Sequence, residues 1–260
     1  MDYQFITMEE QGRTLVVRLH RAPANALNTE FARELFSAFT EVNAMEHVAV
    51  VVIASALEKG FIAGADIKEM ASLDGPGLEA FSLLLQDAIS ILPRMKKVVI
   101  AAIQCHALGG GCELALACDY RLMAKGKALI GLPEAGLGIL PGAGGTQRLP
   151  RLVGLAKAMD ILLRGRTLGG EEALAIGLVD RLFEAETFME DVMAFAQQLA
   201  SGAGKALGYI KVAVHEGLEL PLDQALAVER SYSLENHQTL DAKEGLNAFA
   251  EKRKPVFANA

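Results

Sequence analysis

Two short stretches constrain this chain more than any other feature. Residues 47–55 read HVAVVVIAS and residues 97–103 read KVVIAAI. Both are continuous apolar runs rich in β-branched residues. A strand with one wet face alternates apolar and polar; a run without alternation fits a strand covered on both faces, as in a parallel sheet flanked by helices. The residues between them fit a helix, with Leu78, Phe81, Leu85, Ala88 and Leu92 on one face and Pro93 limiting it. Before the first run, residues 13–19 alternate, with Leu15, Val17 and Leu19 on one side, and a turn at Glu10-Gln11-Gly12 suggests a hairpin with residues 3–8. Phe31, Leu35, Phe39 and Val42 then share one helix face. Strand, helix, strand, helix, strand is an α/β order built from crossover connections.

Beyond about residue 145 the pattern turns mostly helical. Short helices fit 145–152, 155–163 and 170–176, a short strand fits 178–183, and longer helices fit 187–200, 222–238 and 241–253. Asp241 with Glu244 resembles a capping box, and Pro255 is expected to stop the last helix. We therefore expect an α/β core over residues 1–190 and a helical C-terminal region over 191–260. Hydrophobic residues make up 52% of the 260, enough for a substantial core, yet no run reaches the roughly 18 residues of a membrane span. The opening MDYQFITMEE has no basic segment followed by an apolar one, so a cytoplasmic location is expected.

Charge and cysteine count exclude several classes. The formal net charge is −7, which disfavours bulk nucleic-acid binding. Cys105, Cys112 and Cys118 lie among Leu, Ala and Gly at spacings that fit no zinc site. They read as small buried hydrophobes, and no metal is expected. There is no G-x-G-x-x-G fingerprint and no P-loop lysine, so no nicotinamide cofactor is expected. No G-x-S-x-G elbow is present, and the cysteines have no evident base beside them, which leaves a nucleophilic hydrolase unsupported.

Three segments can carry chemistry. FIAGADIK (61–68) follows a buried strand, where ligands of α/β proteins usually bind; by itself it also fits an ordinary turn with Asp66 opening a helix. LGGGCELA (108–115) places free backbone N–H groups at a helix start, where an anion or developing oxyanion is favoured; a plain tight turn fits equally. GLPEAGLG (131–138) sets Glu134 among apolar residues and glycines, which suits burial and a raised pKa, and a solvated loop acid is the bland alternative. The following PGAGGTQR (141–148) reads as the turn that starts a packed helix. The combination is more specific than its parts. Two carboxyl groups beside paired N–H donors suit enolate chemistry at a thioester, since one acid can take a proton from water while the other supplies one to the α carbon. Losing one fixed oxyanion donor typically costs about 3–4 kcal/mol.

These segments, with PANALN (23–28), ALGGGCELALACD (107–119), LPEAGLGILPGAGGTQRLPRLVG (132–154) and AKEGLNAFAEKRKP (242–255), resemble the enoyl-CoA hydratase/isomerase (crotonase) family over essentially the whole chain, most closely its short-chain 2-enoyl-CoA hydratases. The resemblance implies a spiral of ββα units with a helical C-terminal trimerisation region, and a homotrimer or a hexamer of two stacked trimers. It implies catalytic Glu113 and Glu134, an oxyanion hole from the N–H groups of Ala65 and Gly110, and a coenzyme A channel along Ala65, Asp66, Ile67 and Lys68. Coenzyme A is then part of the substrate, and no separate cofactor is expected. Arg21 is a candidate for a coenzyme phosphate, and Phe249 and Lys252 for a neighbouring subunit's site. His106 receives no catalytic role and reads as a packed, hydrogen-bonded histidine. The spacing of the two glutamates is one residue longer than in vertebrate mitochondrial hydratases, which we place in the surface turn 124–127; residues 72–77 lie where the family varies and shape the acyl pocket. The alternatives are a Δ3-Δ2 enoyl-CoA isomerase or another enolate-stabilising acyl-CoA enzyme of this family, and a non-catalytic binding protein on the same fold.

Overall fold

The structure, a computed structural model, describes residues 2–260. Strands β1 (Ile6–Gln11) and β2 (Thr14–Leu19) form the expected hairpin, turning at Gly12-Arg13 with Gln11 opposite Thr14. Helix α1 (Thr29–Ala44) buries Phe31, Leu35, Phe39 and Val42, and Asn28 caps it by accepting from the Phe31 amide. Strand β3 (Val50–Ser55) follows, then the short α2 (Ile67–Met70), α3 (Gly75–Ile91) and a 3-10 turn over Leu92–Arg94 that contains Pro93. Strand β4 (Val98–Ile103) leads through β5 (Ala107–Leu108) into α4 (Gly110–Leu116). After β6 (Tyr120–Ala124) and β7 (Leu129–Gly131), a 3-10 helix spans Pro133–Leu137. Then come α5 (Gly145–Val153), α6 (Leu155–Arg164), β8 (Thr167–Gly169), α7 (Gly170–Ala175) and β9 (Arg181–Phe183). The chain finishes with α8 (Phe188–Ala200), α9 (Gly204–Gly217), α10 (Leu222–His237) and α11 (Leu240–Ala250).

One sheet has the order β1-β2-β3-β4-β6-β9, and every pairing after the first is parallel. The two apolar runs are its central strands β3 and β4, buried along their full length. Their alternate residues serve opposite faces. Val51, Ile53, Val99 and Ala101 pack with α1 and α3, whereas Val50, Val52, Val98 and Ile100 pack with Phe188, Val192, Ala196 and Ala200 of α8. Both faces being dry, neither strand can alternate.

A second, three-stranded sheet has the order β5-β7-β8. Two parallel bridges extend it, Ile62 with Ala107 and Leu27 with Ala65. Each of β2, β3, β4 and β6 is thus followed by a short extended piece in this second layer and then by helix. That is the ββα spiral expected above. The short strands β5, β7 and β8 escape a sequence reading because two or three residues carry no period.

Three expectations need correction. Helix α9 is absent from the sequence reading because its buried positions are Gly204, Gly208, Lys211 and Val212, a helical period written in residues that do not look like core. Gly208 is small because a Cβ there would run into the backbone of Lys96. Lys211 is buried because its ammonium reaches the carbonyls of Leu92 (2.7 Å) and Lys97 (2.9 Å) and the carboxylate of Asp119 (2.8 Å). The capping box is not formed. Thr239 caps α11, while Asp241 is buried and accepts from the amides of Ala258 and Asn259, and Glu244 pairs with Arg253. Pro255 does not end α11 either: the helix stops at Ala250, and Lys252 adopts a φ of 56°. Helix α8 closes the main sheet with its inner face, through Phe188, Val192, Ala196 and Ala200. Among the described residues no helix is long and apolar enough to cross a membrane.

Candidate active site

The site lies where the second layer meets the helix starts. Leu108 donates its amide to the carbonyl of Ile62 (3.0 Å) and Gly109 donates to Gly131 (3.0 Å), which draws the three chemistry-bearing segments side by side. Gly109 stands at φ 54° as the residue before α4. A Cβ there would lie 3.4 Å from the Cα of Gly64 and 2.9 Å from Oε1 of Glu134. Glycine is therefore needed twice over, for the left-handed backbone and for the approach of the acid. One residue beyond each touching glycine come Ala65 and Gly110. Among the described residues neither of their amides donates to a main-chain carbonyl outside its own element, while the neighbouring amides of Ala63, Asp66 and Gly109 all do. Both residues line a cavity of about 810 Å³.

Glu113 and Glu134 line the same cavity. Glu113, in the first turn of α4, is buried; its Oε1 accepts from the amides of Ala143 (2.7 Å) and Gly145 (2.8 Å). Burial raises its pKa, and those two amides and the charge of Arg148 oppose the rise. Glu134 is also buried, but its Oε2 finds no hydrogen-bond partner among the described residues. Burial pushes it up to about 7, its own amide opposing, with a further rise from the charge of Glu113. The two acids thus sit in unlike surroundings: one carboxyl accepts from two loop amides, the other has an oxygen with no partner among the described residues.

The rest of the wall is apolar, with Leu27, Met70, Leu78, Phe81 and Leu85 among its side chains. The wall takes in Ala65, Ile67 and Gly110 but neither Asp66 nor Lys68. Asp66 caps α2 and pairs with Arg21 (3.0 Å), which holds its carboxyl below the ordinary range; Lys68 is exposed. Arg21 is engaged inside the chain, on Asp66 and on the Ala26 carbonyl. His106 is only half-buried, and its Nδ1 has no hydrogen-bond partner among the described residues, contrary to the packed and bonded histidine expected. The cysteines are buried, and burial raises all three thiols. Of the turn 124–127, Lys125, Gly126 and Lys127 are exposed, while Ala124 is the buried last residue of β6.

Sequence reasoning overlooked the clamp on Glu113. The run PGAGGT was read as the start of α5, which it is, yet its amides also hold a carboxylate 30 and 32 positions away. The density of glycine was the available signal. Gln86 of α3 fastens the same run by donating to the Gly142 carbonyl (2.6 Å).

A spiral of ββα turns that gathers two buried acids and the amides of Ala65 and Gly110 at one cavity defines an α/β protein with an enzyme-type cleft. The chain belongs to the Enoyl-CoA hydratase/isomerase family, whose sequence model matches residues 9–260. It is 40% identical over 258 residues to a crotonyl-CoA hydratase of Syntrophomonas wolfei, covering 99% of each chain. It is 38% identical to a short-chain-enoyl-CoA hydratase of Clostridium acetobutylicum, covering 98% of this chain and 97% of that one. Among solved structures, an enoyl-CoA hydratase from Bacillus anthracis superposes with a TM-score of 0.93 at 35% identity, covering 99% of this chain and all of that one.

Proposed function

We infer that this chain is an enoyl-CoA hydratase, a hydro-lyase that adds water syn across the double bond of a trans-2-enoyl-CoA to give the 3-hydroxyacyl-CoA. The observation that carries this reading is the pair Glu113 and Glu134, in unlike environments on one cavity wall beside the amides of Ala65 and Gly110. Glu113, as the anion, takes a proton from water while the water oxygen bonds to the β carbon. The π electrons move toward the thioester carbonyl, where the Ala65 and Gly110 amides receive the negative charge. Glu134, protonated, delivers its proton to the α carbon, so two protons and one oxygen are added in sum. The exposed ammonium of Lys68 and the adjoining turn Ala65-Asp66-Ile67 suit the coenzyme A portion, and the apolar wall suits the acyl chain.

Two acids favour hydration over Δ3-Δ2 isomerisation, because moving a double bond needs only one group to carry a proton. With pure protein, crotonyl-CoA is expected to be consumed faster than a 3-enoyl-CoA. A dominant 3-enoyl rate would replace hydratase with isomerase; turnover of neither, with salt-sensitive RNA binding, would favour the binding-protein reading.

We also propose that the helical C-terminal region joins three chains, with two trimers stacking into a hexamer. In the single chain α10 buries no residue, and Leu218, Leu222, Leu234 and Phe249 stand exposed, Phe249 by 87%. This many large apolar side chains left exposed in the C-terminal helices suit a contact surface. Light scattering is expected to give three or six chains per particle; a monomer would remove this proposal.

A further inference from the structure

One cation stands directly behind the loop that clamps Glu113. Arg148, in the first turn of α5, is half-buried. Its Nη1 donates to the Ala143 carbonyl (2.9 Å) and its Nη2 to the Ser90 hydroxyl of α3 (3.2 Å). Its own amide donates to the Gly144 carbonyl (2.8 Å). Ala143 is therefore gripped from both sides, its N–H by the Glu113 carboxylate and its C=O by the guanidinium. Between them lies Gly144 at φ 112°, where a Cβ would collide with the guanidinium. The loop has no slack: each carbonyl from 142 to 144 is held by Gln86 or Arg148, and the amides of 143 and 145 by Glu113.

The charges facing Glu113 are few. Glu134 approaches from the 3-10 helix and repels it. Cys112, the preceding residue of the same helix, is a thiol whose pKa burial raises. Arg148 is the cation whose charge opposes burial at Glu113.

We propose that Arg148 is a positioning residue for Glu113: its guanidinium, spanning the Ala143 carbonyl and the Ser90 hydroxyl, fixes the loop whose 143 and 145 amides bind this carboxylate and places a positive charge behind it. The proposal rests on the hydratase reading for its kinetic consequence, though the pairing itself does not. A planar guanidinium can span the Ala143 carbonyl and the Ser90 hydroxyl at once, whereas an ammonium offers a point charge.

The test is a double-mutant cycle on crotonyl-CoA hydration. R148M is expected to lower kcat by about 100-fold with KM little changed, the size of loss that a displaced catalytic group produces. The acid limb of its pH profile, where Glu113 ionises, should move up by about one unit. R148K should keep the limb near its wild-type position and lose part of kcat. In the E113Q background either change should cost little more, because Arg148 then has no anion to hold. An R148M that slows E113Q as much as wild type, or that slows hydration without moving the acid limb, overturns the proposal. Should R148M not fold, the cycle of R148K with E113Q decides: a loss in R148K that largely disappears in the E113Q background supports the proposal, and one that persists there in full overturns it. The ¹³C carboxyl titration of Glu113 separates the two readings: a protein that turned over no enoyl thioester would sink the hydratase assignment, while an upward shift of that titration in R148M would still support the pairing, and no shift would end it.

Discussion

Replacing Glu134 by Gln is expected to reduce crotonyl-CoA hydration by about 10³-fold, within the range lost with a positioned acid or base, while making the folded protein more stable at neutral and higher pH. The two effects share one cause. Glu134 is buried, its Oε2 has no hydrogen-bond partner among the described residues, and burial lifts its pKa from 4.5 to about 7. In that interval the folded chain keeps a proton that the unfolded chain releases, so stability falls as pH rises from about 4.5 and levels off above 7. The full penalty is about 3 kcal/mol. Glutamine is neutral at every pH and escapes it. Thermal melts at pH 8 should place E134Q above wild type, and the advantage should vanish near pH 4.5. The proton that burial retains is the one the α carbon needs, so wild-type kcat/KM should decline as pH rises through about 7. Near-wild-type turnover in E134Q would refute the role of Glu134; a variant less stable than wild type at pH 8 would refute its burial as a neutral acid.

The second large effect concerns Glu113. In E113Q the side-chain carbonyl can still accept from Ala143 and Gly145, whose amides now meet Oε1 at 2.7 and 2.8 Å. The clamp and the start of α5 should therefore persist, and unfolding should change little. What is lost is the base, since an amide cannot take a proton from water. Hydration is expected to fall by about 10³-fold, with KM nearly unchanged if the acyl chain is held by the apolar wall rather than by this acid. A large rise in KM with kcat preserved would mean that Glu113 binds substrate and does not activate water. The double variant E113Q/E134Q should lose much less than the product of the single losses, because the two groups act in one event.

Most of the architecture was legible in the chain itself. Apolar runs at 47–55 and 97–103 required strands dry on both faces, and the structure sets β3 and β4 at the centre of the sheet with helices on either side. The apolar stripes of α1 and α3 were read from their period. The glycines at 109–111 and the apolar surroundings of residue 134 marked places where backbone and acid had to come close, and the resemblance to a family supplied their roles. These are local signals, carried by residue type and by spacings of two to four.

Other features were decided only when distant segments met. The buried stripe of α9 is written in Gly208 and Lys211, and it makes sense only beside the backbone of Lys96 and the carboxylate of Asp119. The cap of α11 passed from Asp241 to Thr239 because Asp241 is occupied by amides of residues 258 and 259. Glu113 and Glu134 stand in unlike surroundings because one accepts from the amides of 143 and 145 while Oε2 of the other meets no partner among the described residues, and the clamp on Glu113 comes from residues 30 and 32 positions away. Hydrogen bonding and desolvation depend on what stands within a few ångströms in space. Residue type fixes what a side chain can donate, accept or ionise, and only the packed chain determines which partner it meets.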